Sequence, residues 1–231
     1  MNLRAYRRWL AELAGTALLV AIGTGAIVAG ARGGGIPQWL LALAWFFAVL
    51  VPIILCIRTS GAQLNPAVTL ALAASGRIAW RELPWYWASQ TLGAFLGSTV
   101  VLVVLGRSHQ LGSTVPVHGG AVAAFGLEAT FTGLLVGAVF ALSDRGEGRW
   151  RWRLLLPPAA VGLSTNLIGP WTGSSLNPAR SLAPAVLSGT YTDLWVYLTS
   201  APLAALAIAA AWRPRSVDLS DRGPGRRTVT R

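Results

Sequence analysis

The sequence predicts an all-α membrane protein with six membrane-crossing helices and two short helices that stop inside the membrane. Three observations carry this reading. Of the 231 residues, 54% are hydrophobic and 12% charged, about half the charged fraction of a soluble domain. Uncharged runs of spanning length recur along the chain, with the charge collected in short breaks between them. Two further uncharged segments are too short and too polar to cross, and they resemble each other.

A hydrocarbon core of ~30 Å takes about 20 apolar residues in a helix. Residues 13–31, 33–57, 83–106 and 194–212 are uncharged at that length. Residues 121–143 form another span, interrupted only by Glu128, and 154–169 form a shorter one opened by Pro157-Pro158. The first run is too long and too Gly-rich for a cleaved leader, and no small-residue cleavage site follows it.

All 19 basic residues are Arg. With the N-terminus placed in the cytoplasm, sixteen fall on the inner side and only Arg32, Arg107 and Arg180 on the outer. That asymmetry is a positive-inside signal, so both termini are expected in the cytoplasm; a plasma (inner) membrane is the expected location. The net charge of +11 therefore encodes topology, and no nucleic-acid partner is expected. Residues 213–231, rich in Arg, Gly, Pro and Asp, form a basic tail expected to be disordered. Residues 1–212 then make one transmembrane domain. The Lys-free composition, rich in Ala, Arg and Gly, points to a GC-rich bacterial genome.

Chemistry-bearing residues are few. Cys56 is alone, which excludes an internal disulfide, and no Cys/His cluster has metal-ligand spacing; neither metal nor cofactor is expected. A serine near Gly173-Ser174 has no intramembrane His or Lys to activate it, so no catalytic residue is assigned and an enzyme is not expected.

The two non-spanning segments, 59–76 and 170–188, read Ser-Gly-Ala-Gln-Leu-Asn-Pro-Ala-Val-Thr and Thr-Gly-Ser-Ser-Leu-Asn-Pro-Ala-Arg-Ser at their centres, with five of ten positions identical. The spans that open each half also match: Glu12, Thr16, Leu18, Leu19 and Val20 against Glu128, Thr132, Leu134, Leu135 and Val136. The chain is an internal duplication, with repeats over about 9–106 and 121–212. Each repeat has three crossings, an odd number, so the second must sit upside down relative to the first. Inverted repeats place their non-spanning elements at the interface near the midplane.

Asn-Pro-Ala is a helix start. Asn is a preferred N-cap, and Pro is favoured at the first helical position, where no N–H is needed. Asn65 and Asn177 should each cap a short helix, roughly 66–75 and 178–187. The irregular backbone before each cap is tolerated at membrane depth only if buried in protein or lining a water-filled cavity. Two Asn amides left free to donate, and two half-helix N-termini with partial positive charge, suit a neutral acceptor such as water and repel cations.

Two inverted boxes, Asn65-Pro66-Ala67 and Asn177-Pro178-Ala179 followed by Arg180-Ser181, resemble the major intrinsic protein (aquaporin) family. Glu12-x-x-Gly15-Thr16, Gln90-x-x-Gly93 and Trp195-Val196-Tyr197 match it too, and the resemblance runs from about Trp9 to Trp212. It implies an hourglass of six tilted helices and two half-helices, a homotetramer with one pore per subunit in membrane lipid, and passage of water and small neutral solutes such as glycerol or urea. It also implies that Glu12 and Glu128 support the two loops. The alternative, a proton-coupled transporter, would use these acids as proton sites.

The same resemblance assigns a selectivity filter. Arg180 is its cationic donor, against the plain alternative of a charge reaching the outer interface. Trp45, 20 residues before Asn65, takes the second-span position, with a core or lipid-facing indole as the alternative. Ser174 takes the loop position. The fifth-span position falls within 165–167, with Thr165 as the candidate, and no His stands there. A bulky indole with small neutral partners resembles glycerol-type or mixed filters. Ser181, Ala185 and the short connection between the third and fourth spans resemble water channels instead.

Overall fold

The computed structural model describes residues 3–143 and 154–212. The tail from 213, and with it the expectation of disorder there, lies outside the described residues, as do Arg145, Arg149, Arg151 and Arg153. The described chain is helical: α1 (Leu3–Arg32), α2 (Gln38–Cys56), α3 (Pro66–Ala74), α4 (Leu83–Leu105), α5 (Gly120–Ser143), α6 (Leu156–Thr172), α7 (Pro178–Ser188) and α8 (Leu194–Ala211). Short 3-10 turns at Trp80–Glu82 and His109–Gly112 precede α4 and α5.

Helices α1, α2, α4, α5 and α8 are each long and apolar enough to cross a membrane. At 17 residues, α6 is slightly short of a typical span of about 20; it packs along α2 and α5 and completes the six. The two half-helices, nine and eleven residues long, fall within a residue of the expected bounds.

Three helix ends differ from the sequence reading by three residues or more; α2 begins at Gln38, after Gly33-Gly34-Gly35 and Pro37, and not at 33. The first helix begins ten residues early, because its basic first turns are supported from outside the helix. Arg8 pairs with Glu82 at 3.4 Å, and Trp9 stacks on Trp85 with ring centroids 4.9 Å apart. The third difference is at α6, which continues through Pro170 to Thr172 and stops at left-handed Gly173, whose N–H bonds the Gly169 carbonyl. Pro170 lacks an N–H for the intrahelical ladder, and the helix runs only two residues beyond it.

The packing follows the duplication. Contacts of α1 with α2 and α4 are repeated by α5 with α6 and α8. Across the repeats, α3 packs against α8 and α7 against α4, while α2 meets α6. The α1–α4 contact is close because Gly93 and Gly97 face it: a Cβ on either would collide with the α1 carbonyls of Leu13 and Ala17. Backbone approach through small residues is how helices associate in lipid.

Candidate functional site

Asn65 and Asn177 stand at the starts of the half-helices with extended φ/ψ. Asn65 Oδ1 accepts from the Ala67 N–H at 2.9 Å. Asn177 Oδ1 accepts from Ala179 at 3.1 Å and Arg180 at 3.3 Å. These are N-caps as expected. The other half of each amide is not entirely free, which corrects the sequence reading. Asn65 Nδ2 donates to the Leu176 carbonyl at 2.7 Å, and Asn177 Nδ2 donates to the Leu64 carbonyl at 2.9 Å. One of the two N–H groups on each amide is thus taken by the opposite loop, and one remains.

The loops before the caps share a strained backbone. Gly61, Ala62 and Leu64 have positive φ, and so do their repeat mates Gly173, Ser174 and Leu176. A left-handed non-Gly residue costs of order 1–3 kcal/mol and persists only where its surroundings enforce it. Here the enforcing groups are the two buried acids. Glu12 Oε1 accepts from Ser60 Oγ (2.6 Å) and the Gln63 N–H (2.9 Å), and Oε2 from the Leu64 N–H (2.7 Å) and Gln90 Nε2 (2.9 Å). Glu128 Oε1 accepts from Thr172 Oγ1 (2.7 Å) and the Ser175 N–H (2.9 Å). Its Oε2 accepts from the same Ser175 N–H (3.1 Å) and from Leu176 (2.8 Å). Hydrogen bonds to a charged acceptor are about twice as strong as neutral ones, so each carboxylate offsets the strain of one loop.

A second support was not read from the sequence. Tyr86 Oη donates to the Ser60 carbonyl at 2.9 Å, and Tyr197 Oη to the Thr172 carbonyl at 2.7 Å. The two tyrosines lie 21 and 20 residues after the two Asn residues, so extending the repeat alignment into the third span of each half would have paired them.

Asn65, Asn177, Trp45 and Arg180 all line one cavity of 2110 Å3, whose lining also includes Arg58, Arg77 and Trp212. Within this lining the Arg180 guanidinium lies 4.7 Å from the Trp45 ring centroid, within cation–π range. Both side chains are almost wholly buried, at 1% and 3% exposure. Arg180 Nη1 donates to the Gly112 carbonyl at 2.9 Å. Its Nε and Nη2 are buried and have no hydrogen-bond partner among the described residues. The carbonyl that holds Arg180 is delivered by a left-handed turn, His109, Gln110, Leu111 and Gly112 all having positive φ. Gly112 was not read as part of the site, and an isolated Gly-Ser pair carries no signal of it.

Ser174 and Thr165, the other two residues expected in the filter, are buried with their hydroxyls engaged. Ser174 Oγ is hydrogen-bonded to Ser164 Oγ. Thr165 Oγ1 donates to the Val161 carbonyl of its own helix at 2.9 Å, and its carbonyl accepts from Gln38 Nε2. Neither residue belongs to the cavity lining. Ser164, one position before the segment considered, is the α6 residue that reaches the Ser174 loop.

The family model described as Major intrinsic protein matches residues 1–212. Among relatives, Aquaporin NIP1-1 of Zea mays is 38% identical over 205 residues, covering 88% of this chain and 72% of that protein. Aquaporin TIP2-3 of Arabidopsis thaliana is 36% identical over 224 residues, covering 90% of this chain and 85% of its own. The structure of the aquaglyceroporin from Plasmodium falciparum superposes with a TM-score of 0.79 at 25% identity, covering 94% of this chain and 99% of that one. The two relatives are plant proteins, which lends no support to the bacterial source expected from composition. With two capped half-helices meeting inside a six-helix inverted repeat, and this likeness along nearly its whole described length, the chain belongs to the major intrinsic protein family.

Proposed function

We propose that the protein is a passive channel for water and small uncharged solutes, that it excludes protons and ions, and that it works as a homotetramer in a plasma membrane with both termini cytoplasmic. The observation that carries this reading is the convergence of the two Asn caps on one cavity that Arg180 and Trp45 also line. Two oppositely entering helix N-termini and a buried guanidinium give the conduit positive potential along its length, which opposes cations. Each Asn keeps one amide N–H for a permeating oxygen. A water that donates to neither Asn is oriented by both, which interrupts proton relay along the file.

Trp45, Arg180, Ser174 and Thr165 form the filter in this reading. The first two supply its wall and its charge, and the second two shape it from behind through their backbone. Glu12 and Glu128 act as loop supports; each is surrounded by donors from its own loop, an arrangement that favours a static acceptor over a proton shuttle. Membership of the aquaporin family, and likeness to an aquaglyceroporin, support the same class of permeant. The test is stopped-flow measurement of water and glycerol permeability on proteoliposomes of the purified protein, with and without a pH gradient. Water flux above that of empty liposomes and indifferent to the gradient is expected; uptake that requires the gradient would overturn the proposal.

A further inference from the structure

A glycine in the interior of a helix costs about 1 kcal/mol relative to alanine, so Gly23 in the middle of α1 needs a reason. A Cβ built there would lie 2.5 Å from Cη2 and Cζ3 of Trp45 and 2.7 Å from Cε3. All three nearest atoms belong to that one indole. The repeat mate of Gly23, counted from Glu12 and Glu128, is Val139, so the shared backbone of the two halves does not require a small residue at this position. The missing side chain is matched to Trp45 alone.

Trp45 is packed on the protein side and lines the cavity on the other. Carbon atoms in contact sit about 3.5–4.0 Å apart, so a methyl at position 23 would displace the ring by about 1 Å. The open space available to the ring is the cavity it lines. We infer that Gly23, which does not itself line the cavity, determines how far the Trp45 indole stands into the constriction beside Arg180, and thereby sets the discrimination between carbon-bearing solutes and water. The inference rests on the reading of Trp45 and Arg180 as the constriction of a channel. A single file of water needs less width than a polyol, so a shift of the indole acts on the larger permeant first.

The experiment compares the glycerol-to-water permeability ratio of wild type, Gly23→Ala, Trp45→Phe and the double variant, each purified as the full chain and reconstituted. Gly23→Ala should lower the ratio by roughly threefold or more, a pore-width effect. The double variant should return it to the value of Trp45→Phe, because the smaller phenyl leaves room for the methyl. An unchanged ratio in Gly23→Ala, or a fall that Trp45→Phe does not reverse, overturns the inference while leaving the channel reading intact. A ratio unmoved by Trp45→Phe itself would instead sink the constriction reading on which the inference rests. Should Gly23→Ala not assemble, Gly23→Ala and Gly23→Val are compared in the Trp45→Phe background. A lower ratio with Val supports the inference and equal ratios overturn it.

Discussion

The side-chain amide of Asn65 donates to the main-chain carbonyl of Leu176, the residue just before the other cap, at 2.7 Å. Asn177 returns the bond to Leu64 at 2.9 Å. Each cap therefore fixes the opposite loop while its Oδ1 fixes its own helix, and the two half-helices are locked end to end by four atoms of side-chain amide.

Replacing Asn65 or Asn177 with Ala removes both functions at once. The cap alone is worth ~1 kcal/mol, and the carbonyl left behind at Leu176 or Leu64 adds a desolvation cost of about 1–3 kcal/mol. Lower yield of folded oligomer and lower water flux per protein are expected, measured by size-exclusion chromatography and stopped-flow. Normal yield together with normal flux in both variants would contradict the double role.

Glu12→Gln and Glu128→Gln should not be equivalent. In the second loop the Ser175 N–H already reaches both carboxylate oxygens, and the Thr172 hydroxyl can turn to accept. An amide at position 128 can present its oxygen to Ser175 and Leu176 and its NH2 to Thr172, with no backbone donor orphaned. At position 12 the Gln63 and Leu64 N–H groups contact different oxygens, so one of them meets an amide nitrogen whichever way the glutamine turns. Glu12→Gln is expected to be the less stable by about 1–3 kcal/mol, the cost of one unsatisfied buried donor. Thermal unfolding in detergent measures the difference, and equal losses would show that the loops relax around the amide.

Arg180→Val gives position 180 the residue type of its repeat mate, Val68, in the cavity lining. It removes a buried cation and its bond to the Gly112 carbonyl. Glycerol, urea and proton permeabilities should all rise relative to water. If all three stay at wild-type values in reconstituted vesicles, Arg180 does not govern passage.

Tyr86→Phe and Tyr197→Phe each delete one hydroxyl and leave a loop carbonyl, of Ser60 or Thr172, without its donor. Each should cost about 1 kcal/mol or somewhat more, seen as a lower unfolding temperature. A loss in neither variant would mean that the acids hold the loops without help.

The elements and caps were legible because they rest on local rules. Apolar run length, the position of arginines, and Asn followed by Pro each act within a few residues, and the duplication doubled every signal. What stayed hidden was long-range pairing. The bond from Asn65 to Leu176 spans 111 residues, and no pattern within either box shows that an amide looks across the repeat. The Gly112 carbonyl on Arg180 was invisible for the same reason, since a main-chain oxygen has no residue type to betray it. Ser164 and Thr165 are adjacent on a helix whose rotation about its axis decides which one meets Ser174, and a short segment with a Pro near each end does not fix that rotation.

The exchange of partners between the repeats constrains how the chain is made. The first half-helix, α3, rests on α8, the last helix of the described chain, and Asn65 takes its acceptor from a loop translated more than a hundred residues later. When the ribosome has finished α4, the loop before α3 is held by Glu12 but has no opposite loop to meet. Irregular backbone without partners is costly inside lipid. The contacts that seat the first re-entrant segment are therefore complete only once the second half is in place. A chain that stops before α8 would lack the helix on which α3 rests, so even its N-terminal half depends on the last crossing for its packing.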